Sequence, residues 1–222
     1  MITILFENDD FVLVDKPAGV SFHSESGPGL VVQLSEQLGI PLYSVHRLDK
    51  MTSGLLLLAK TPEAAKRLTE MFAGRRMEKF YVALSTRMPK KKQGWVKGDM
   101  AAGRRGSYKL LATMNNPAVT RFISASIRPR ERLFLVKPFT GKTHQIRVAL
   151  KSLGAPIAGD LRYANADEAK REERGYLHAY ALRFELDGET FSFVRPPEEG
   201  ERFLSDECRK QLEAWAEPWE LF

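Results

Sequence analysis

The apolar run Leu55–Ala59 directly follows the polar segment His46–Gly54, and this junction limits the folds that the chain can adopt. A near-continuous apolar run is typical of a strand buried on both faces. The charged segment therefore opens onto a buried strand, and it places Asp49 where a fold can hold a reactive group rigidly at the edge of a cleft. The alternative is a surface turn in which Arg47 and Lys50 pair with Asp49, and composition alone favours that alternative.

Length and composition are those of an ordinary globular chain. Of the 222 residues, 43% are hydrophobic and 28% are charged, which argues against disorder. This length predicts one domain over residues 1–222, or two closely joined halves that share one sheet. The one cysteine, Cys208, excludes an internal disulfide framework and suits a reducing cytosol. We expect it to pack within a C-terminal helix.

Membrane and export signals are missing from the sequence. No apolar run approaches the roughly 20 residues that a membrane span needs. The opening segment Met1–Phe6 is short and meets acidic residues at once, unlike a signal peptide. We therefore expect a soluble protein of the cytoplasm.

Charge is unevenly distributed along the chain. The whole chain has a net charge of +6, but residues 198–222 hold eight acidic and three basic residues, a net charge of −5. The other 197 residues therefore carry +11. A basic body with a separate acidic end fits a polyanion-binding face whose opposite side is kept off the ligand. Charge alone supports a basic protein without a nucleic-acid role equally well.

Apolar periodicity and turn residues predict many short strands and four helices. The predicted strands cover 2–6, 11–14, 55–59, 80–84, 108–112, 120–126, 132–136, 177–186 and 190–194. The predicted helices cover 30–38, 62–74 and 146–153, with a last one across Phe203, Leu212 and Trp215. Hairpin-like neighbours and unevenly placed helices predict an α+β fold with a mixed, mostly antiparallel central sheet and flanking helices.

Several segments of the chain resemble the motifs of one enzyme family. The run His46–Gly54 is similar to the signature of the RluA-type pseudouridine synthases, which isomerise uridine to pseudouridine in folded RNA. Further matches follow the family's order from about residue 10 to residue 180. They are Asp10–Gly19, Lys79–Ala83, Thr140–Val148, Pro156–Asp160 and Leu177–Ala179.

The resemblance implies a sheet in two halves, with a cleft between them that holds the catalytic aspartate, and no cofactor or metal. It implies that Asp49 is the nucleophile, a role that suits a carboxylate because it is ionised at neutral pH. Attack on ribose C1′, addition to the base and removal of a ribose proton to give a glycal all stay open. Arg147 occupies the position that pairs with this aspartate, and arginine suits it because it stays charged.

Two more residues take roles from the resemblance. Tyr81 is expected to stack on the flipped uracil, and its hydroxyl is a candidate to remove the C5 proton. Arg47 is expected to assist extrusion of the base, which must leave its stack to reach Asp49. A Tyr in a strand is otherwise typical of a core or a sheet surface, and Arg47 could equally make a plain phosphate contact.

Other polar residues carry weaker predictions. Four histidines without Cys or His at ligand spacing do not make a metal site, so we expect His46 and His144 to be hydrogen-bonding scaffold. Basic clusters at 75–79, 90–92, 104–105 and 128–132 are candidates for RNA backbone contacts, although each alone is typical of a solvated loop.

Some positions depart from the family pattern. Met51 stands where Asp or Glu is common in the family, and Ala149 stands where the arginine motif usually continues with His. Gly154-Ala155-Pro156 replaces the more usual Gly-His-Pro. The chain begins at the first strands of the catalytic domain, so we expect no small N-terminal RNA-binding domain. We expect a monomer that recognises a compact stem-loop in transfer RNA or ribosomal RNA.

Two other functions compete with this prediction. A catalytically silent RNA-binding or RNA-chaperone protein on the same scaffold stays open, although chaperoning needs none of Asp49, Tyr81 and Arg147. A zinc-dependent base deaminase is excluded, because its His-x-Glu and Cys-x-x-Cys ligand set is absent from the sequence.

Overall fold

The computed structural model describes residues 1–25 and 27–222. The strands are β1 (Thr3–Glu7), β2 (Phe11–Lys16), β3 (Tyr43–Ser44), β4 (Ser53–Ala59), β5 (Glu78–Ser85), β6 (Gly94–Gly98), β7 (Met100–Ala102), β8 (Tyr108–Leu110), β9 (Ala118–Arg128), β10 (Glu131–Pro138), β11 (Leu177–Leu186) and β12 (Glu189–Val194). The helices are α1 (Leu30–Leu38), α2 (Pro62–Ala73), α3 (Gln145–Ser152), α4 (Ala166–Ala169) and α5 (Asp206–Ala214). No helix in the described part of the chain is both long and apolar enough to cross a bilayer.

Ten of the strands form one mixed sheet. Its order is β1-β2-β4-β11-β5-β10-β9-β6, with β12 paired to β11 and β3 paired to β4. The pairing of β4 with β11 is parallel, and the other pairs in this sheet are antiparallel. β7 and β8 form a separate hairpin. The predicted α+β fold with a mostly antiparallel sheet is therefore confirmed.

The parallel pair is the seam between the two halves of the sheet. β4 and β11 pair over Ser53–Gly54 and His178–Ala179 alone, and then diverge. Gly54 has a φ of +105°, and a Cβ at this position would collide with the backbone of Ala179. Glycine is therefore required where the polar run enters β4, because it tolerates this φ and the close approach of β11.

Each half of the sheet has its own apolar core. Leu55–Ala59 lie fully inside the first core, with β1, β2, α1 and α2 around them, so the prediction of a strand buried on both faces is confirmed. The second core lies between β5, β9 and β10 and the helices α3 and α5. Tyr81 packs against both cores. The two halves thus meet at β5 and β11, beside the start of β4.

Some predicted elements differ from the observed ones. The predicted final helix is wrong at its start, because α5 begins at Asp206, where the Ser205 hydroxyl accepts a hydrogen bond from Cys208 N. Phe203 is fully buried ahead of that cap. The predicted strand 108–112 shortens to β8 in the separate hairpin, and β6, between two glycines, was not predicted. Cys208 is buried in α5, as expected.

Candidate active site

A cleft of about 670 Å³ lies between the two halves of the sheet. Its walls come from the polar run before β4, the end of α2, the start of β5, the segment after β10 and the start of α3. The lining side chains include Arg47, Asp49, Tyr81, His144 and Arg147. The structure therefore brings together the four site residues that the sequence predicted, although they are up to 100 positions apart in the chain.

The backbone around Asp49 is fixed by a buried lysine. Lys16 ends β2 fully buried, and its Nζ donates to the carbonyls of Pro17, Lys50 and Thr52 at 3.0, 3.1 and 2.7 Å. Burial, followed by the charge of Arg174, lowers the pKa of Lys16 to about 8. Thr52 N donates to the Asp49 carbonyl at 3.0 Å and closes the turn. The loop that carries Asp49 is therefore tied to β2, although lysine and loop are 33 residues apart.

Arg147 holds Asp49 from the opposite side of the cleft. Its Nη1 donates to Asp49 Oδ2 at 3.2 Å. Its Nε and Nη2 donate to Asp160 Oδ2 and Oδ1, both at 2.8 Å. Arg147 lies in the first turn of α3 with 9% of its side chain exposed, so its guanidinium is held inside the cleft wall and not on the outer surface of the helix. Burial alone would lower the pKa of Arg147, but Asp160 and then Asp49 raise it above its ordinary value.

Asp160 is a site residue that the sequence did not assign. Its motif was recognised, but nothing in the sequence connects this carboxylate to Arg147. It is fully buried, and its Oδ1 also accepts from the backbone N of Arg162 at 3.0 Å and of Tyr163 at 3.3 Å. These donors fix the Asp160 carboxylate, which in turn orients the Arg147 guanidinium.

Tyr81 lies on β5 beside Asp49. Burial, followed by the negative charge of Asp49, raises the pKa of the Tyr81 hydroxyl above its ordinary value. The phenol is therefore neutral at physiological pH, with its ring on the cleft wall.

A family model described as RNA pseudouridylate synthase matches residues 10–152 of the chain. A Haemophilus influenzae protein named as an uncharacterized RNA pseudouridine synthase is 42% identical over 216 residues, which are 96% of each chain. The chain belongs to the RNA pseudouridylate synthase family. This membership confirms the resemblance to the RluA-type enzymes and makes the chain an isomerase.

Two further relatives extend the comparison. The ribosomal large subunit pseudouridine synthase C of Haemophilus influenzae is 34% identical over 206 residues, and the match covers 86% of this chain but only 63% of that protein. The solved structure of human RNA pseudouridylate synthase domain containing 1 has a TM-score of 0.79 at 24% identity. The match covers 98% of this chain and 95% of the human one. The human protein shares the synthase fold.

The two histidines near the synthase site are engaged in hydrogen bonds. His46 stacks on Phe72, and its Nε2 accepts from Leu57 N at 2.9 Å. Burial, followed by the charge of Lys79, lowers the pKa of His46 to about 3, so the ring is neutral. His144 Nδ1 lies 2.7 Å from the hydroxyl of Tyr163, whose ring centroid lies 5.1 Å from the Arg147 guanidinium. Within the described residues, no group of three or more His, Cys, Asp and Glu side chains could hold a metal ion.

The basic clusters of the synthase differ in their access to the cleft. Arg75 and Lys79, from the first cluster, line it together with Arg47. Arg128, from the last cluster, instead pairs with Glu131 at 3.3 Å. The described cleft-lining residues come from positions 45–147 and from Leu177. The acidic segment 198–222 therefore lies outside the cleft wall.

Proposed function

We propose that the synthase converts a uridine in a structured RNA to pseudouridine, with Asp49 as the nucleophile. The observation that carries this proposal is the contact of Asp49 with a buried Arg147 inside an open cleft. The Asp49 side chain keeps 23% of its surface exposed, while the rest of the Arg147 fork is occupied by Asp160. One carboxylate is thus charge-compensated and still reachable by a substrate.

The isomerisation requires such a group. The C1′–N1 bond breaks, the uracil turns, C1′ joins C5, and the proton on C5 leaves while N1 gains one. A carboxylate can hold one partner during the turn and then depart. Attack on C1′, addition to the base and abstraction of a ribose proton all start from the same Asp49 carboxylate, and the Arg147 guanidinium lies against that carboxylate in each case.

We assign Tyr81 to contact with the uracil base and Arg47 to extrusion of that uracil from its stack. The Tyr81 ring on the cleft wall is suited to stack on uracil. The Tyr81 hydroxyl lies in the same cleft as Asp49, and it is the candidate to remove the C5 proton after C1′ has joined C5. Arg47 is exposed at the cleft mouth, where a guanidinium can replace the extruded base or hold its phosphate.

The proposed substrate is a compact stem-loop of transfer RNA or ribosomal RNA. The name of the 34% identical relative, a ribosomal large subunit synthase, supports the ribosomal choice. We further propose that the enzyme acts in the cytoplasm as a monomeric catalytic domain, without a metal or a cofactor.

Labelled transcripts test the proposal. The purified protein is incubated with transfer RNA and large-subunit ribosomal RNA transcripts that carry tritium at uracil C5. We expect tritium release in step with pseudouridine formation, because C5 exchanges its proton for a bond to C1′. Binding of the transcripts without any pseudouridine would support the catalytically silent RNA-binding protein instead.

A further inference from the structure

An exposed aromatic side chain lies on the edge strand of the second half of the sheet. Trp95, in β6, has 40% of its surface exposed. The other exposed large hydrophobic residues in the described part of the chain are aliphatic or Met: Met1, Val32, Met88, Met114, Leu161 and Leu221. A solvent-exposed tryptophan on an edge strand offers an apolar surface to which a ligand can bind.

Basic side chains surround this ring. Lys97 Nζ lies 4.7 Å from the centroid of the Trp95 ring, and the Arg121 guanidinium lies 5.4 Å from this centroid and 5.4 Å from that of the Phe222 ring in the C-terminal segment. Neither Lys97 nor Arg121 has a carboxylate within 4.0 Å among the residues that the structure describes. The Phe139 ring packs 5.2 Å from Trp95. We call Trp95, Lys97, Arg121 and Phe139 the Trp95 patch.

The Trp95 patch is continuous with the cleft. Trp95, Arg121 and Lys137 form one row across β6, β9 and β10. Phe139 follows two residues after Lys137, and both also line the cleft. Trp95, at the far end of the row, is three strands from the strand that carries Tyr81, about 14 Å across the sheet. Because side chains alternate along a strand, the row faces the side of the sheet opposite Tyr81, with Phe139 at the rim between them.

We propose that the Trp95 patch binds an unpaired nucleotide of the RNA substrate, several positions from the target uridine. The base stacks on the indole ring while Lys97 and Arg121 contact neighbouring phosphates. An aromatic platform flanked by cations is suited to single-stranded RNA, because every base has a stacking face and every linkage has a charge. This inference rests on the proposed function, since it takes the same RNA to fill both the cleft and the patch.

The test compares probes that share phosphates but differ in bases. Dissociation constants are measured for fluorescein-labelled dodecauridylate and for an abasic ribose-phosphate dodecamer, with wild type, Trp95→Ala, Trp95→Phe and the exposed-site control Met88→Ala. We expect Trp95→Ala to weaken dodecauridylate binding about 5- to 150-fold and to leave abasic binding unchanged. Trp95→Phe should stay within about threefold of wild type. Thermal unfolding midpoints identify any variant that is not folded.

The outcomes separate this inference from the proposed function. If Trp95→Ala binds dodecauridylate as tightly as wild type does, this inference is overturned. If Trp95→Ala loses the same affinity for the dodecauridylate and abasic probes, this inference is also overturned. Trp95 would then only hold Lys97 and Arg121 in position. Pseudouridine formation by wild type is measured in parallel on the labelled transcripts. A wild type that makes no pseudouridine contradicts the proposed function, whereas an active wild type with an unaffected Trp95→Ala contradicts this inference alone.

Discussion

At the scale of single residues, Arg147 divides its guanidinium unequally between two carboxylates. Asp160 takes two short hydrogen bonds in full burial, and Asp49 takes one of 3.2 Å at a partly exposed position. The bidentate pair fixes the fork, so the remaining Nη1 points at Asp49 without enclosing it. Asp160 therefore acts as a positioning residue, and Asp49 stays free to meet the substrate.

Asp160→Asn tests this division of labour. In this variant the buried Arg147 loses the negative charge of Asp160 and keeps that of Asp49. This loss should lower the free energy of unfolding by about 3–5 kcal/mol. It should also lower kcat about 100-fold, because Nη1 is no longer held towards Asp49. Urea unfolding and single-turnover kinetics at a temperature where the variant is folded measure both effects. Asp187→Asn, in an exposed pair with Arg67, is the control and should change stability by less than about 1 kcal/mol. A variant with wild-type stability and kcat would contradict the role of Asp160.

Tyr81→Phe separates stacking from proton transfer. Phenylalanine keeps the ring and loses the hydroxyl, so RNA affinity should be unchanged. If the hydroxyl removes the C5 proton, kcat should fall about 10²- to 10⁴-fold. Dissociation constants and the rate of tritium release from uracil C5 measure the two quantities. Full activity of Tyr81→Phe would leave Tyr81 with stacking alone.

The sequence motifs predicted which residues line the cleft, but not the hydrogen bonds that hold them in place. Asp49, Arg147 and Tyr81 lie on one cleft, as the motifs implied. The bidentate partner Asp160 and the buried Lys16 were missed, because their contacts depend on the tertiary approach of segments far apart in the chain. No local spacing encodes such an approach.

At the scale of elements, the seam between β4 and β11 carries a buried polar network. His178 in β11 is 1% exposed, and its Nδ1 lies 2.7 Å from Ser53 Oγ in β4. Its Nε2 lies 2.6 Å from the Arg195 carbonyl, which assigns the proton to Nε2. Arg174 Nη2 donates to Ser53 Oγ at 2.7 Å. The network joins the two halves of the sheet through a neutral histidine.

This network makes stability depend on pH. Burial, opposed by the Arg195 carbonyl but reinforced by the charges of Arg174 and Arg195, lowers the pKa of His178 from 6.5 to about 3. Below pH 6.5 the unfolded chain binds a proton here that the folded chain does not. The stabilisation is therefore complete above pH 6.5 and is lost progressively as the pH falls towards 3.

Through His178 alone, we expect the free energy of unfolding to be about 2 kcal/mol lower at pH 5 than at pH 7.5. His46 contributes in the same direction, because its pKa is also lowered. Urea unfolding at the two pH values measures the change. His178→Gln should reduce the difference, whereas His23→Gln, at an exposed position, should leave it as in wild type. A wild type equally stable at both pH values would contradict the assignment of a neutral, buried His178.

Elements with strong local signals were predicted, and elements that depend on distant partners were not. β4 follows from its apolar run, and α2 from Thr61, whose side chain accepts from Ala64 N. The short strands β6 and β7 lack such a signal, because their pairing with β9 and β8 defines them. Trp95 and Lys97 lie on β6, one of these two strands that were not predicted.

At the scale of the whole molecule, the two halves of the sheet divide the site between them. Asp49 comes from the first half, and Tyr81 and Arg147 belong to the second. The cleft carries Arg47, Arg75 and Lys79, while the net negative segment 198–222 lies outside its wall. This charge distribution fits the polyanion-binding face predicted from composition, and under the proposed function it attracts the RNA to the side that holds Asp49.

Pseudouridine formation by Asp49→Asn tests whether Asp49 is the nucleophile. Transcripts with tritium at uracil C5 are incubated with wild type, Asp49→Asn and the exposed-site control Asp9→Asn, and RNA affinity and thermal unfolding are measured for each protein. We predict that Asp49→Asn folds and binds RNA like wild type but forms no pseudouridine above background, while Asp9→Asn is fully active. Substantial pseudouridine formation by a folded Asp49→Asn would contradict the assignment of Asp49 as the nucleophile.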